Sequence, residues 1–172
     1  MKPKSFRKGW YVVYTRPRHE KKVSALVGEL GGTSFLPLTK CLREWQGKKK
    51  FVSLPVFPSY VFVYLKGQDD FYRTLMIDGV IYFVRQGDIV ATVPDDIVDN
   101  IRLVTAAGLD LEVSSHQFGE GSKLVFQHGP FTGMSCEVVR YSGKSKILVR
   151  ANLLKRNILI SVEPEYLMSA SA

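Results

Sequence analysis

The chain has 172 residues, and its 24 lysines and arginines against 16 acids give a formal charge of +8. That length can bury one sizeable core or two small ones, and the basic balance favours an anionic partner, most simply nucleic acid. Two distant cysteines and three scattered histidines are too sparse for a zinc site, and unpaired thiols without a long apolar run predict a cytoplasmic protein with no membrane span.

After a basic leader, residues 1–8, Trp10-Tyr11-Val12-Val13-Tyr14 reads as a strand. Trp10, Val12 and Tyr14 lie on one face, Tyr11 and Val13 on the other, and Thr15 is a candidate helix N-cap. From Arg16 to Leu30 the apolar residues Val23, Leu26, Val27 and Leu30 recur at helical spacing, and Gly31-Gly32 supply a stop. The polar face of this helix starts with Arg16, Arg18, His19, Lys21 and Lys22. Positive charge there opposes the helix dipole, a cost that a functional use such as nucleic-acid binding would explain; a simple solvated face is the alternative reading.

Thr33 to Trp45 and Phe51 to Leu54 are extended, joined by a hairpin tip at Gln46-Gly47-Lys48-Lys49-Lys50. The stretch LPVFPSYVFVYL, Leu54 to Leu65, is the most informative. Alternation puts Tyr60, Phe62 and Tyr64 on one face and Val61, Val63 and Leu65 on the other. A strand apolar on both faces belongs in the middle of a sheet, its aliphatic face under helices and its aromatic face available to something else.

Gln68 to Ile77 is a short helix with Phe71 and Leu75 inward and Tyr72 and Met76 as further candidates for that face, closed by Asp78-Gly79. Val80 to Arg85 and Ile89 to Val93 are extended around the turn Gln86-Gly87-Asp88. Pro94-Asp95-Asp96 starts a last helix, with Ile97, Ile101 and Val104 on one face. The order β-α-β-β-β-α-β-α over residues 9–107 predicts an α+β domain, an antiparallel sheet with flanking helices. Residues 108–120 read as a linker. Residues 121–168 hold short strands and frequent turns, the pattern of a small all-β barrel, and 169–172 form a tail.

Four stretches, WYVVYTRPRHEKKV (Trp10 to Val23), PVFPSYVFVYL (Pro55 to Leu65), GVIYFVRQG (Gly79 to Gly87) and GSKLVFQHGPFTGMSCEVV (Gly121 to Val139), together resemble the NusG family of transcription elongation factors. These have an N-terminal NGN domain and a C-terminal KOW domain, an SH3-like barrel. The resemblance implies that Tyr14, Tyr60 and Phe62 bind the clamp helices of bacterial RNA polymerase. It implies a second contact, with the polymerase gate loop, from Phe71, Tyr72 and Arg73; the RfaH branch has His-Thr-Thr-Thr where this chain has Asp70-Phe71-Tyr72-Arg73. Arg16, Arg18 and His19 match the region that specialised members use on the non-template DNA strand, with Lys48, Lys49 and Lys50 following upstream duplex. In the KOW domain, Phe131 between Gly129 and Gly133 matches the region that meets a small ribosomal-subunit protein or the termination factor Rho. Met134-Ser135-Cys136 departs from the motif, where many members have a further glycine.

The implied protein is a monomer without cofactor, metal or membrane attachment, and not an enzyme: the chain has no phosphate-cradling glycine loop and no nucleophile, base and orienter that can be placed together. Its dense basic segment favours an antiterminator of the UpxY or RfaH kind, serving long operons such as those for surface polysaccharides. The alternatives are the housekeeping elongation factor and a ribosome-associated KOW RNA-binding protein. A helical hairpin over Ile147 to Val162, as in RfaH, is the rival to the barrel, which β propensity favours.

Overall fold

The computed structural model describes residues 6–108, 111–114, 121–126, 135–141, 144–151, 154, 156–161 and 167–169. The first five leader residues, linker residues 109–110 and 115–120, Gly129, Phe131, Gly133, Met134, Asn152-Leu153 and the end of the tail lie outside the described residues. The chain divides into two compact units, Met1–Val98 and Asp99–Ala172.

Chain order in the first unit is β1 (Gly9–Thr15), α1 (Glu20–Glu29), β2 (Thr33–Phe35), β3 (Leu38–Trp45), β4 (Lys48–Pro55), β5 (Tyr60–Leu65), α2 (Gln68–Leu75), β6 (Val80–Phe83), β7 (Arg85–Gln86), β8 (Ile89–Val90) and β9 (Thr92–Val93). α3 (Asp95–Ala106) follows and runs across the division between the units. The main sheet has the order β2-β5-β1-β6, with β9 also on β1, and every pairing is antiparallel. The two strands that are apolar on both faces, β1 and β5, therefore take the centre, as their alternation requires.

Register assigns each face. Tyr11 lies opposite Val63 and Val13 opposite Val61, and these residues with Leu65 join Val23 and Val27 of α1, Phe71 of α2, Ile77 and Phe83 in one core. Each such side chain contributes roughly 1.5–3 kcal/mol by leaving water. The second face is buried over Trp10, Val12 and Phe62, with Trp10 edge-on to Tyr64 at 5.3 Å.

Gly31-Gly32 end α1 as their type predicts. Gly31 adopts φ +75°, and the N–H groups of Gly31 and Gly32 donate to the carbonyls of Gly28 and Val27, each at 2.9 Å, the pattern of a Schellman cap. A Cβ on Gly32 would stand 2.9 Å from Val27 Cγ1. The start of α1 differs from expectation. Pro17 steers Arg16 away from helical angles, Arg18 has φ +65°, and the first helical residue is Glu20. Thr15 stays in β1, fully buried, and caps nothing. The cations Arg16 and Arg18 precede the helix, whose first turn carries an acid that suits the dipole.

At the second helix, Asp70 Oδ2 accepts from the N–H groups of Lys66 at 2.8 Å and Gly67 at 3.3 Å, the role expected of an acid in a first turn. In α3 the fully buried stripe is Val98, Ile101 and Val104; Ile97, expected inward, is half-buried.

β3 and β4 form a separate two-stranded hairpin. Its turn is only Gln46-Gly47, at φ +50° and +73°, the two-residue geometry that matches strand twist. Lys48, Lys49 and Lys50 therefore belong to the ladder, opposite Trp45, Glu44 and Arg43, and not to the tip.

In the second unit β10 (Leu111–Ser114), β11 (Ser122–Phe126), β12 (Ser135–Tyr141), β13 (Lys144–Ala151), β14 (Arg156–Ser161) and β15 (Leu167–Ser169) form an antiparallel sheet in the order β10-β14-β13-β12-β11-β15. Leu111–Ser114, expected within the linker, is a strand because it pairs with β14 from Leu111↔Ile160 to Ser114↔Asn157. Val139, Leu148 and Leu159 make a small core. Arg150 holds Glu137 by two hydrogen bonds of 2.8 and 2.6 Å, and Gly121 N–H donates to the same carboxylate.

Candidate functional site

Three tyrosines stand side by side where β5, β1 and β6 meet. Tyr14 lies opposite Tyr60 on one neighbour and Tyr82 on the other. The Tyr14 ring is edge-on to Tyr60 at 5.3 Å and stacked on Tyr82 at 5.0 Å with 16° between planes. Tyr14 and Tyr60 are half-buried and Tyr82 is 49% exposed, so part of the ladder stands at the surface. Aromatic rings held by their neighbours lose little freedom on being covered, which is why such groups dominate protein contacts.

Phe62 shares their face but not their exposure. It is 1% exposed, between Phe35 at 5.8 Å and Phe57 at 6.2 Å. Of the three predicted residues, Tyr14 and Tyr60 come together at the surface, and Phe62 is buried in the same strand as Tyr60, packed on Phe35 and Phe57. Tyr82 was not among the predicted residues; only the β1–β6 register reveals it.

α2 divides its predicted residues in the same way. Phe71 is buried and stacked on Phe83 at 4.4 Å, so it is a core residue and offers nothing to a partner. Tyr72 and Arg73 are exposed, as are Leu75 and Met76, the latter at 85%; Leu75, Tyr72 and Met76, expected inward, lie outside because Phe71 and Thr74 take the buried face of α2.

The predicted cations fall into two groups. Arg16, Arg18 and His19 line the loop from β1 to α1. Arg16 N–H donates to the Gly79 carbonyl at 2.8 Å, and at Gly79, whose φ is +102°, a Cβ would meet the His19 ring at 3.1 Å. Arg16 and Lys22 both reach Asp78, at 3.4 and 2.6 Å. Arg18 is exposed and makes no ion pair among the described residues. On the hairpin, opposed residues share a face: Trp45, Lys48, Arg43 and Lys50 on one, Leu42, Phe51, Glu44 and Lys49 on the other. The three lysines thus do not project from one face: Lys48 and Lys50 share one and Lys49 takes the other. Among the described residues no group of three or more His, Cys, Asp or Glu could hold a metal ion, and no helix is long and apolar enough to cross a membrane.

A family model described as "NusG: Transcription termination factor nusG" matches residues 8–102, a span that contains the tyrosine ladder, the cationic loop and the hairpin. The chain belongs to the NusG family. Family members are transcription factors, and the matched part has the α+β fold of an NGN domain. NusG of Thermotoga maritima is similar over 96% of this chain and 98% of its own, at 18% identity and a TM-score of 0.50, a likeness of fold. An MjSpt4:Spt5 complex aligns over 94% of this chain and 98% of that one at 15% identity, with a TM-score of 0.32.

Two polar contacts hold this NusG-family site in shape. Glu20 is buried, and its Oε1 accepts the Ser59 N–H at 2.7 Å. Ser59 has φ +67°, and its carbonyl accepts from Thr15 N–H at 2.8 Å, so the carboxylate fixes the turn that delivers Tyr60 beside Tyr14. Glu20→Ala leaves a buried N–H without a partner and is expected to cost about 1–3 kcal/mol of stability; Glu20→Gln, which keeps an acceptor, should cost less in the same urea melt.

The second contact is Asp78. The Lys22 hydrogen bond, then the Lys22 charge, with a smaller contribution from Arg16, holds its carboxyl below the usual aspartate range. A lowered folded pKa stabilises the fold above the unfolded pKa, and that contribution disappears as pH falls through the folded value. The carboxyl resonance of Asp78 should therefore titrate below the ordinary aspartate range, and Lys22→Ala should move its midpoint up. An unmoved midpoint would show that the ion pair does not form in solution.

Proposed function

We propose that this protein is an elongation and antitermination factor that binds the clamp helices of bacterial RNA polymerase through the exposed tyrosine ladder of its first domain. The observation that carries this reading is a row of three tyrosines in ring contact, Tyr14 edge-on to Tyr60 and stacked on Tyr82, partly exposed on the sheet of a NusG-family chain. Phe62 is buried in the strand that carries Tyr60. Tyr72 and Arg73 form a second contact, with the gate loop, and Arg16, Arg18 and His19 meet the non-template strand, with Lys48, Lys49 and Lys50 serving upstream DNA.

In this reading residues 9–107 are the NGN domain, 108–120 the linker and 121–168 a KOW barrel, to which the six-stranded sheet of the second unit lends support. Phe131 there meets a small ribosomal-subunit protein or Rho. A factor of this kind acts only by binding the pause-resistant polymerase conformation more tightly than the paused one.

With purified bacterial RNA polymerase in single-round transcription, the protein is expected to shorten pauses and raise terminator read-through. If neither changes and polymerase does not co-purify with the protein, the reading fails. Co-sedimentation with ribosomes without polymerase would favour the ribosome-associated alternative. Mapping occupancy across the genome separates the two transcription roles: a few long operons mark the specialist that the basic loop favours, and uniform occupancy marks the housekeeping factor.

A further inference from the structure

We propose that one face of the β3–β4 hairpin is a binding site for single-stranded nucleic acid, in which Trp45 stacks on an unpaired base and Arg43, Lys48 and Lys50 hold the flanking phosphates. This deepens the nucleic-acid part of the proposed function and rests on it, assigning to a single strand two of the lysines placed above on duplex.

The Gln46-Gly47 turn fixes the parity of the hairpin. A two-residue turn sets Trp45 directly opposite Lys48 and Arg43 directly opposite Lys50, so these four side chains project from the same face. Inward along that face come Cys41 opposite Val52 and Thr39 opposite Leu54, so it contains no acid. The nearest acid, Glu44, sits on the other face opposite Lys49. All four outer residues are exposed, Trp45 at 77%, and none of the three cations is ion-paired among the described residues.

An indole exposed to this extent adds little to the fold. Its flat face matches the π-face of a base, and stacking of that kind tolerates any sequence. The cations stand at the right places for a strand: Lys48 beside the indole, Lys50 two residues along the same strand, about 6.8 Å away, a step similar to the phosphate spacing of an unstacked chain. A duplex offers its phosphates but keeps its base faces covered by neighbouring pairs. An acidic peptide would engage the cations and leave the indole without an equally flat partner.

The full-length protein contains two tryptophans, and Trp10 is 6% exposed, so quenching of fluorescence by an added ligand reports Trp45. Oligothymidylate and oligouridylate are each expected to quench it, while a blunt duplex of the same length and polyglutamate are not. Whichever of the two single strands binds more tightly identifies the strand as DNA or RNA. Trp45→Leu should weaken single-strand binding by about 5- to 150-fold, and Trp45→Phe should recover most of it. Lys48→Ala and Lys50→Ala should each flatten the dependence of log affinity on log salt by about 0.7, whereas Lys49→Ala, on the other face, should not.

Equal binding by Trp45→Leu, or equal quenching by duplex, overturns the proposal; quenching by polyglutamate alone points to an acidic protein and overturns it as well. Polymerase co-purification, measured on the same variants, separates the two readings. Retained polymerase with no single-strand binding ends this inference alone, and loss of polymerase by the wild-type protein ends the function from which it starts.

Discussion

Phe62→Ala is expected to cost about 3–5 kcal/mol of stability, read as a lower urea midpoint with an unchanged slope. The ring is 1% exposed and touches Phe35 and Phe57, so truncation loses its transfer energy and leaves a cavity that the sheet can close only in part. Polymerase binding by this variant would fall together with its folded fraction. If Phe62→Ala kept the wild-type midpoint and lost only polymerase, the residue would be a contact, and the ring cluster drawn around it would be wrong.

Tyr14 and Tyr82 should behave in the opposite way. Tyr82→Ala removes a ring that is 49% exposed, so its effect on the melt should stay within about 1 kcal/mol. Its effect on polymerase affinity should reach about 2 kcal/mol, roughly 30-fold, as for an aromatic at the centre of a contact. Tyr14→Ala should lose at least as much, because Tyr14 touches both other rings. The double variant should lose less than the sum of the two, since removing one ring already frees the other. Titrating labelled polymerase with each variant checks these values.

Much of this arrangement is legible in the residues. Apolar alternation on both faces of Trp10 to Tyr14 and Tyr60 to Leu65 requires central strands, and both are central. Gly31-Gly32 mark a helix end and Gln46-Gly47 a turn because Gly31 and Gly47 take φ of +75° and +73°, angles that suit few other residues. What was not legible depends on contacts between distant segments. Alternation assigns Phe62 to the face of Tyr60 but does not show that Phe35 and Phe57 close over it. Tyr82 becomes a site residue only through the β1–β6 register, which the sequence of β6 does not contain.

The lysines illustrate the sensitivity of parity. One more residue in the turn would move Lys49 to the face of Trp45 and take Lys48 and Lys50 away from it. The helix start was misplaced for a local reason with a distant cause. Arg16 and Arg18 fit a helical count, but Pro17 excludes the needed angle at Arg16, and the buried Glu20 is drawn to Ser59, thirty-nine residues along the chain. Glu20, to which its sequence context assigns no role, holds the turn of the site.

The central claim is that the tyrosine ladder receives the polymerase. A photoreactive phenylalanine analogue at position 82, irradiated in the complex with purified RNA polymerase, tests it most directly. The expected product is a cross-link to the clamp helices, which disappears when Tyr14→Ala is added. A cross-link confined to another part of the polymerase, or no cross-link from a variant that still binds, would contradict it.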